Sequence, residues 1–166
     1  MKLSLAKIMQ EISLLDAAED IALDVHHRQK RRDNSLYIKH PKRVQGLAKS
    51  FGYPKEVQLV AILHDAIEDG YNKDMIRRWI LEKLGPKILS SVEAMNHDKS
   101  IPYSDYIIDL WNNDSVAFKA KMVDMYDNLL DNPTKKQYDK YYNAINDAIN
   151  IGAQIPMRLL KLLGME

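Results

Sequence analysis

The sequence predicts an all-α protein, a bundle of helices. Three observations predict it. Apolar residues recur at helical spacing through most of the chain. The six glycines and six prolines fall at the joints between those periodic runs. No stretch alternates apolar and polar residues for long enough to make a strand. At 166 residues the chain is expected to form one domain with a proper core.

Taken in order, Ile8, Ile12, Leu15 and the run Ala18 to Ala22 predict a first helix that continues to His26 and beyond. Arg28 to Ser35 is polar and basic and reads as a loop. Tyr37-Ile38-Lys39-His40-Pro41 opens a second helix, with proline near its start. Gly52-Tyr53-Pro54 ends it and begins a third, carrying Val57-Gln58-Leu59-Val60-Ala61-Ile62-Leu63. After the break at Gly70-Tyr71-Asn72, Lys73 to Leu84 is amphipathic and stops at Gly85, as a C-terminal glycine should stop a helix. Pro86 starts the next helix, through Met95; His97 to Pro102 is a loop and Tyr103 to Trp111 a short helix. Asp114 or Ser115 N-caps a long helix from Val116 to Leu130. Pro133-Thr134 precedes a tyrosine-rich helix from Lys135 to about Ile151, and an apolar tail ends at Leu163.

Composition narrows the function classes. There is no cysteine, which excludes disulfides, thiolate nucleophiles and cysteine-based zinc sites. A net charge of +1 gives no bulk field for nucleic acid or a membrane surface. The first residues lack the apolar core of a signal peptide, and no run reaches membrane-spanning length, so the cytoplasm is the expected compartment.

The chemistry concentrates in Leu63-His64-Asp65-Ala66-Ile67-Glu68-Asp69. On a continuing helix, Glu68 lies one turn after His64, and Asp69 one turn after Asp65. Four ionisable groups at the end of an apolar helix need partners or a metal. A His-Asp pair alone is a weak signal and reads more readily as a solvated helix end, so other ligands must be found. His26 or His27, His40, and Asp124 are the candidates. Asp124 is flanked by Met122, Val123 and Met125 on a segment that reads as buried. His40 before Pro41 reads first as a helix-start residue that packs, and His97 beside Asp98 as a surface histidine. A set of two imidazoles and two carboxylates suits a divalent cation and leaves positions open for water or substrate.

Three ordered boxes resemble the HD-domain metal-dependent phosphohydrolases, in particular the hydrolase domain of the RelA/SpoT homologues and the stand-alone small alarmone hydrolases. They are His26-x-x-Gln29-x-Arg31 followed by Tyr37-Ile38-x-His40-Pro41-x-x-Val44, then Ala61 to Asp69, then Lys121-Met122-Val123-Asp124-Met125-Tyr126-Asp127-Asn128-Leu129. The resemblance runs from about Ala18 to Ala148 and implies a single HD domain over 1–166, a helical bundle with a metal site between helices. It implies His26, His64, Asp65 and Asp124 as metal ligands, with manganese or another divalent transition metal as the ion. His26 is preferred to His27 because it keeps the spacing to Gln29, Arg31 and His40. Glu68 and Asp69 match the catalytic pair. Asn128, Arg31, Lys99 and Tyr141 match positions that contact substrate. Arg28, Lys30 and Arg32 complete a basic cluster around Arg31; Arg28 and Lys30 read as solvated.

Chemically, a bound cation acidifies water and polarises a phosphoryl oxygen. Glu68 would position or deprotonate that water, and Asp69 would orient it or carry a proton to the leaving oxygen.

Departures from the family pattern are Asn34-Ser35-Leu36 where Gly-x-Pro is common, Met125 where Arg often follows the last ligand, and Asp127 in place of His or Tyr. Asp127 adds negative charge near a site for anions. The expected activity is removal of the 3′-pyrophosphate from guanosine tetra- or pentaphosphate, giving GDP or GTP and pyrophosphate. The alternatives are an HD hydrolase for another nucleotide, such as NADPH or a nucleoside monophosphate, and an inactive nucleotide-binding protein. The expected partner is a small nucleotide, with no nucleic acid and no membrane; a homo-oligomer is compatible with the sequence.

Overall fold

A computed structural model describes residues 4–31 and 33–165. Among the described residues there are nine helices and no strand: α1 Leu5–His26, α2 Lys39–Ser50, α3 Lys55–Leu63, α4 Lys73–Leu84, α5 Pro86–Ala94, α6 Tyr103–Asn113, α7 Ser115–Leu130, α8 Lys135–Asn150 and α9 Met157–Leu163. No described helix is long and apolar enough to cross a membrane.

Short polar side chains cap several helix starts, Asp114 among them as expected. Ser4 accepts from Lys7 N at 3.3 Å, and Asn72 from Met75 N at 3.1 Å. Asp114 accepts from Val116 N and Ala117 N at 3.0 and 2.9 Å. The other Asp114 oxygen accepts from Ser91 Oγ at 2.8 Å, tying the start of α7 to α5. Gly85, at φ 88°, makes the sharp joint between α4 and Pro86.

The core is built around α3. Every residue from Val57 to Leu63 is buried, because α1, α2, α5 and α7 all pack on this helix. A helix apolar on all sides has to be enclosed in this way. The long helix α7 supplies Ala117, Phe118, Ala120, Met122, Val123 and Met125 to the same core.

The regular helix stops one residue before the motif. α3 ends at Leu63, and His64 to Asp69 form tight turns rather than a continuation of the helix. Ala66 N bonds Leu63 O at 2.9 Å, an i→i+3 contact, whereas Asp69 N bonds Asp65 O at 2.9 Å, so one α-like turn survives. His64 Nδ1 donates to Ala61 O at 2.7 Å and satisfies a terminal carbonyl. Gly70 closes the segment. A Cβ there would lie 2.5 Å from Ala66 O, so only glycine fits the close approach.

The basic stretch after α1 is more ordered than a plain loop. Arg31 N bonds Ser35 O at 2.9 Å and Tyr37 N bonds Gln29 O at 3.0 Å. Lys30 and Leu36 form an isolated antiparallel bridge. Asn34 takes a left-handed conformation, φ 65°, at the tip. Arg32 lies outside the described residues.

Candidate active site

Three helices deliver the site. His40 comes from the first turn of α2, His64 and Asp65 from the turns just after the end of α3, and Asp124 from the middle of α7. Ligand atoms of His40, His64 and Asp65 all lie within 4.8 Å of one another. His40 Nε2 is 3.2 Å from His64 Nε2. Asp124 Oδ1 is 3.2 Å from His40 Nε2 and 3.5 Å from His64 Nε2, and Asp65 Oδ2 is 2.9 Å from His64 Nε2. α1 contributes nearby, through His26.

The outer nitrogens decide what this point needs. His40 Nδ1 donates to Asp127 Oδ2 at 2.7 Å, and His64 Nδ1 to Ala61 O at 2.7 Å. Both partners are acceptors, so in the neutral rings both Nε2 atoms carry lone pairs. With both rings neutral, two nitrogens and two carboxylate oxygens face one another with no donor among them. A cation satisfies such a set, and imidazole with carboxylate suits a divalent transition metal. Burial opposes charging His64, but Asp65 and Asp124 outweigh it and push its pKa up to about 9. The same demand for positive charge is visible there.

Surrounding groups hold the ligands in place. Asn128 Nδ2 donates to Asp124 Oδ1 at 2.7 Å, and Lys121 Nζ to Asp124 Oδ2 at 3.0 Å. Tyr37 Oη donates to Asp65 Oδ2. Arg43 grips Asp127 through Nε and Nη2, both at 2.9 Å. Burial alone would raise the Asp127 carboxyl; the bonds from His40 and Arg43 hold it below its usual value. The negative charge that Asp127 adds is therefore balanced by Arg43 and used to orient His40. Asp65 and Asp124, offset by Lys121, leave one net negative charge, which a divalent cation would make positive toward an anion.

His26 is the correction. It is buried at the end of α1, but it does not belong to the His40, His64 and Asp65 group. Its Nδ1 bonds Gln29 Oε1 at 2.7 Å, its Nε2 has no hydrogen-bond partner, and its ring lies 4.9 Å from that of Tyr37. His40, expected only to pack a helix start, occupies the central position. The spacing His40, Val44, Ala48, all buried, was the available signal: one inward stripe of α2 begins with an imidazole. His97 bonds Ile101 O at 2.7 Å and packs on Tyr103 and Tyr106, away from the ligand group.

A cleft of about 800 Å³ opens over the site. Arg31, Asn128 and Tyr141 line it, together with Tyr37, His40, Asp65, Lys121 and Asp124. Arg31 pairs with Asp131 at 2.7 Å. Lys99 does not line the cleft; its Nζ lies 3.8 Å from Glu68 Oε1, and both side chains are exposed. Gln29 Nε2 donates to Asp69 O at 3.0 Å and anchors the Asp69 turn. Partial burial, then repulsion from Asp65, raises the Asp69 carboxyl above its ordinary pKa.

No family model matches the chain. A guanosine-3′,5′-bis(diphosphate) 3′-pyrophosphohydrolase of Aquifex aeolicus (strain VF5) is 30% identical over 94 residues, which is 57% of this chain and 13% of that protein's length. Among solved structures, a metazoan ortholog of SpoT, described as hydrolysing ppGpp with a role in starvation responses, superposes with a TM-score of 0.70 at 20% identity. The match covers 99% of this chain and 94% of that one. The chain therefore has the all-helical fold of that SpoT ortholog, essentially from end to end.

Proposed function

We propose that the chain is a metal-dependent pyrophosphohydrolase that removes the 3′-pyrophosphate of guanosine tetra- or pentaphosphate. The observation that carries this reading is the convergence of His40 Nε2, His64 Nε2, Asp65 and Asp124 with both Nδ1 atoms committed elsewhere. The similarity to the Aquifex pyrophosphohydrolase and the shared fold with the SpoT ortholog support the substrate class.

His40, His64, Asp65 and Asp124 would hold the ion, manganese by preference. Bound there, it supplies the positive charge that acidifies water and offsets the phosphoryl oxygens. Tyr37, Asp127, Lys121 and Asn128 keep the four ligand side chains in register. Glu68, beside the site and exposed, orients and deprotonates the attacking water. The water oxygen bonds to the nearer phosphorus of the 3′-pyrophosphate as the bond from that phosphorus to the ribose 3′ oxygen breaks. Asp69, whose carboxyl is raised above its ordinary pKa by partial burial and by Asp65, is the group that passes a proton to the leaving 3′ oxygen. Arg31, Asn128 and Tyr141 line the cleft as nucleotide contacts.

The test is direct. Purified protein incubated with manganese and guanosine tetraphosphate should release GDP and pyrophosphate in equal amounts, and Asp65→Ala should abolish the release. No turnover by the wild type, or undiminished turnover by Asp65→Ala, overturns the assignment.

A further inference from the structure

One buried imidazole lies outside the ligand group. His26 closes α1, is 0% exposed, and leaves Nε2 without a partner. An apolar residue would fill such a position with no polar atom to satisfy. The surrounding bonds show what the imidazole does there. His26 Nδ1 lies 2.7 Å from Gln29 Oε1, and Gln29 Nε2 donates to Asp69 O at 3.0 Å, a contact that spans 40 residues of chain.

One arrangement of protons fits this chain of bonds. The Asp69 carbonyl only accepts, so Gln29 turns its NH2 toward Asp69 and its oxygen toward His26. That oxygen also only accepts, so His26 carries its proton on Nδ1, and Nε2 is left as a lone pair. The imidazole therefore locks the Gln29 amide in the orientation that donates to Asp69. His27, next in the chain, is exposed and bonds Asp24 O instead.

Gln29 holds more than one part of the motif. Its own carbonyl accepts from Tyr37 N at 3.0 Å, and Tyr37 Oη donates to the ligand Asp65. Asp69 N in turn bonds Asp65 O at 2.9 Å. Asp69 is exposed, and none of the described residues hydrogen-bonds its carboxyl group. The position of that carboxyl is set by its backbone, and Gln29 grips this backbone from outside the turn.

We propose that Gln29 is a positioning residue for the hydrolysis and that His26 acts through it. Together they fix the Asp69 turn so that its carboxyl is held ready for proton transfer to the leaving 3′ oxygen. This role rests on the function proposed above, in which Asp69 passes that proton. Neither residue is assigned a contact with the ion or the nucleotide.

Steady-state hydrolysis of guanosine tetraphosphate with manganese tests the role. Gln29→Met keeps the length of the side chain and removes both of its hydrogen bonds. kcat should fall about ten- to a hundredfold, a fraction of what a general acid contributes, while KM and manganese affinity stay within a few-fold. His26→Leu should lower kcat in the same way. His26→Asn, whose amide nitrogen replaces Nδ1 as donor, should restore most of it. The Asp69→Asn background separates positioning from folding. There no acid remains to be placed, so Gln29→Met should lower kcat no further. Unchanged kcat in Gln29→Met, an equal fall in the Asp69→Asn background, loss of manganese binding alongside kcat, or His26→Asn no better than His26→Leu would each overturn the proposal. No turnover by the wild type sinks the hydrolase reading itself. Wild-type turnover with kcat unmoved by Gln29→Met sinks the positioning role alone.

Discussion

His40 Nε2 and His64 Nε2 lie 3.2 Å apart, and each ring spends its other nitrogen on an acceptor. In the metal-free protein this pair competes for a proton, and His64 holds one up to about pH 9. The folded value lies above the 6.5 of the free side chain. Its contribution to stability is therefore complete below about pH 6.5 and disappears as pH rises through about 9. A divalent cation replaces that proton, so the two compete. The rise in melting temperature on adding manganese should be small at pH 6 and grow steadily toward pH 9. A rise independent of pH would show that manganese binds elsewhere.

Exchange of one histidine for another in the ligand set gives a sharp contrast. His40→Ala removes a nitrogen that lies 3.2 Å from both His64 Nε2 and Asp124 Oδ1. Manganese affinity measured by calorimetry should fall by at least about a hundredfold, since loss of a ligand should cost no less than loss of an outer-shell partner. His26→Ala should leave that affinity within a few-fold, because His26 stands outside the ligand group and bonds Gln29 instead. The opposite pattern would restore His26 to the site.

The same two residues show what the sequence could and could not reveal. Helix after helix was legible, because period and punctuation are local: Asp114 caps α7, Gly85 separates α4 from α5, and Pro86 begins α5. His64, Asp65 and Asp124 stood out because charged groups interrupt apolar helices. His40 and His26 were both compatible with the spacing. Choosing between them requires knowing how α1 and α2 lie against α3, which is long-range packing. The turn at His64 was hidden for a related reason. There an i→i+3 bond and a side chain capping Ala61 O replace the regular helix, and composition does not encode that. Arg43 was equally invisible, since its partner Asp127 is 84 residues away in the chain.

Asp127 should behave as a positioning residue. Its carboxylate fixes the His40 tautomer and is itself fixed by the Arg43 fork. Asp127→Asn keeps the volume but removes the charge and offers His40 a weaker acceptor. Manganese affinity should drop about ten- to a hundredfold, the usual cost of losing an outer-shell partner. Unfolding midpoints of the metal-free protein would reveal whether the fold is also disturbed. An Asp127→Asn variant with wild-type manganese affinity would remove Asp127 from any role at the site.

Lys121 and Asp124 form the pair whose loss should be felt most in stability. Nζ lies 3.0 Å from Oδ2, with the two side chains only 14% and 5% exposed. Burial would raise the Asp124 carboxyl, but Lys121 first, then His64 and His40, hold it well below its ordinary value. Lys121→Met keeps most of the apolar stem and leaves the carboxylate buried without its ammonium. Breaking a buried pair from one side costs about 3–5 kcal/mol, which urea unfolding of the metal-free protein should register. Adding manganese gives Asp124 a second source of positive charge, so the deficit should shrink when the comparison is repeated with the ion present. A deficit of the same size with and without manganese would mean that Asp124 does not hold the cation. The ligand set would then reduce to His40, His64 and Asp65.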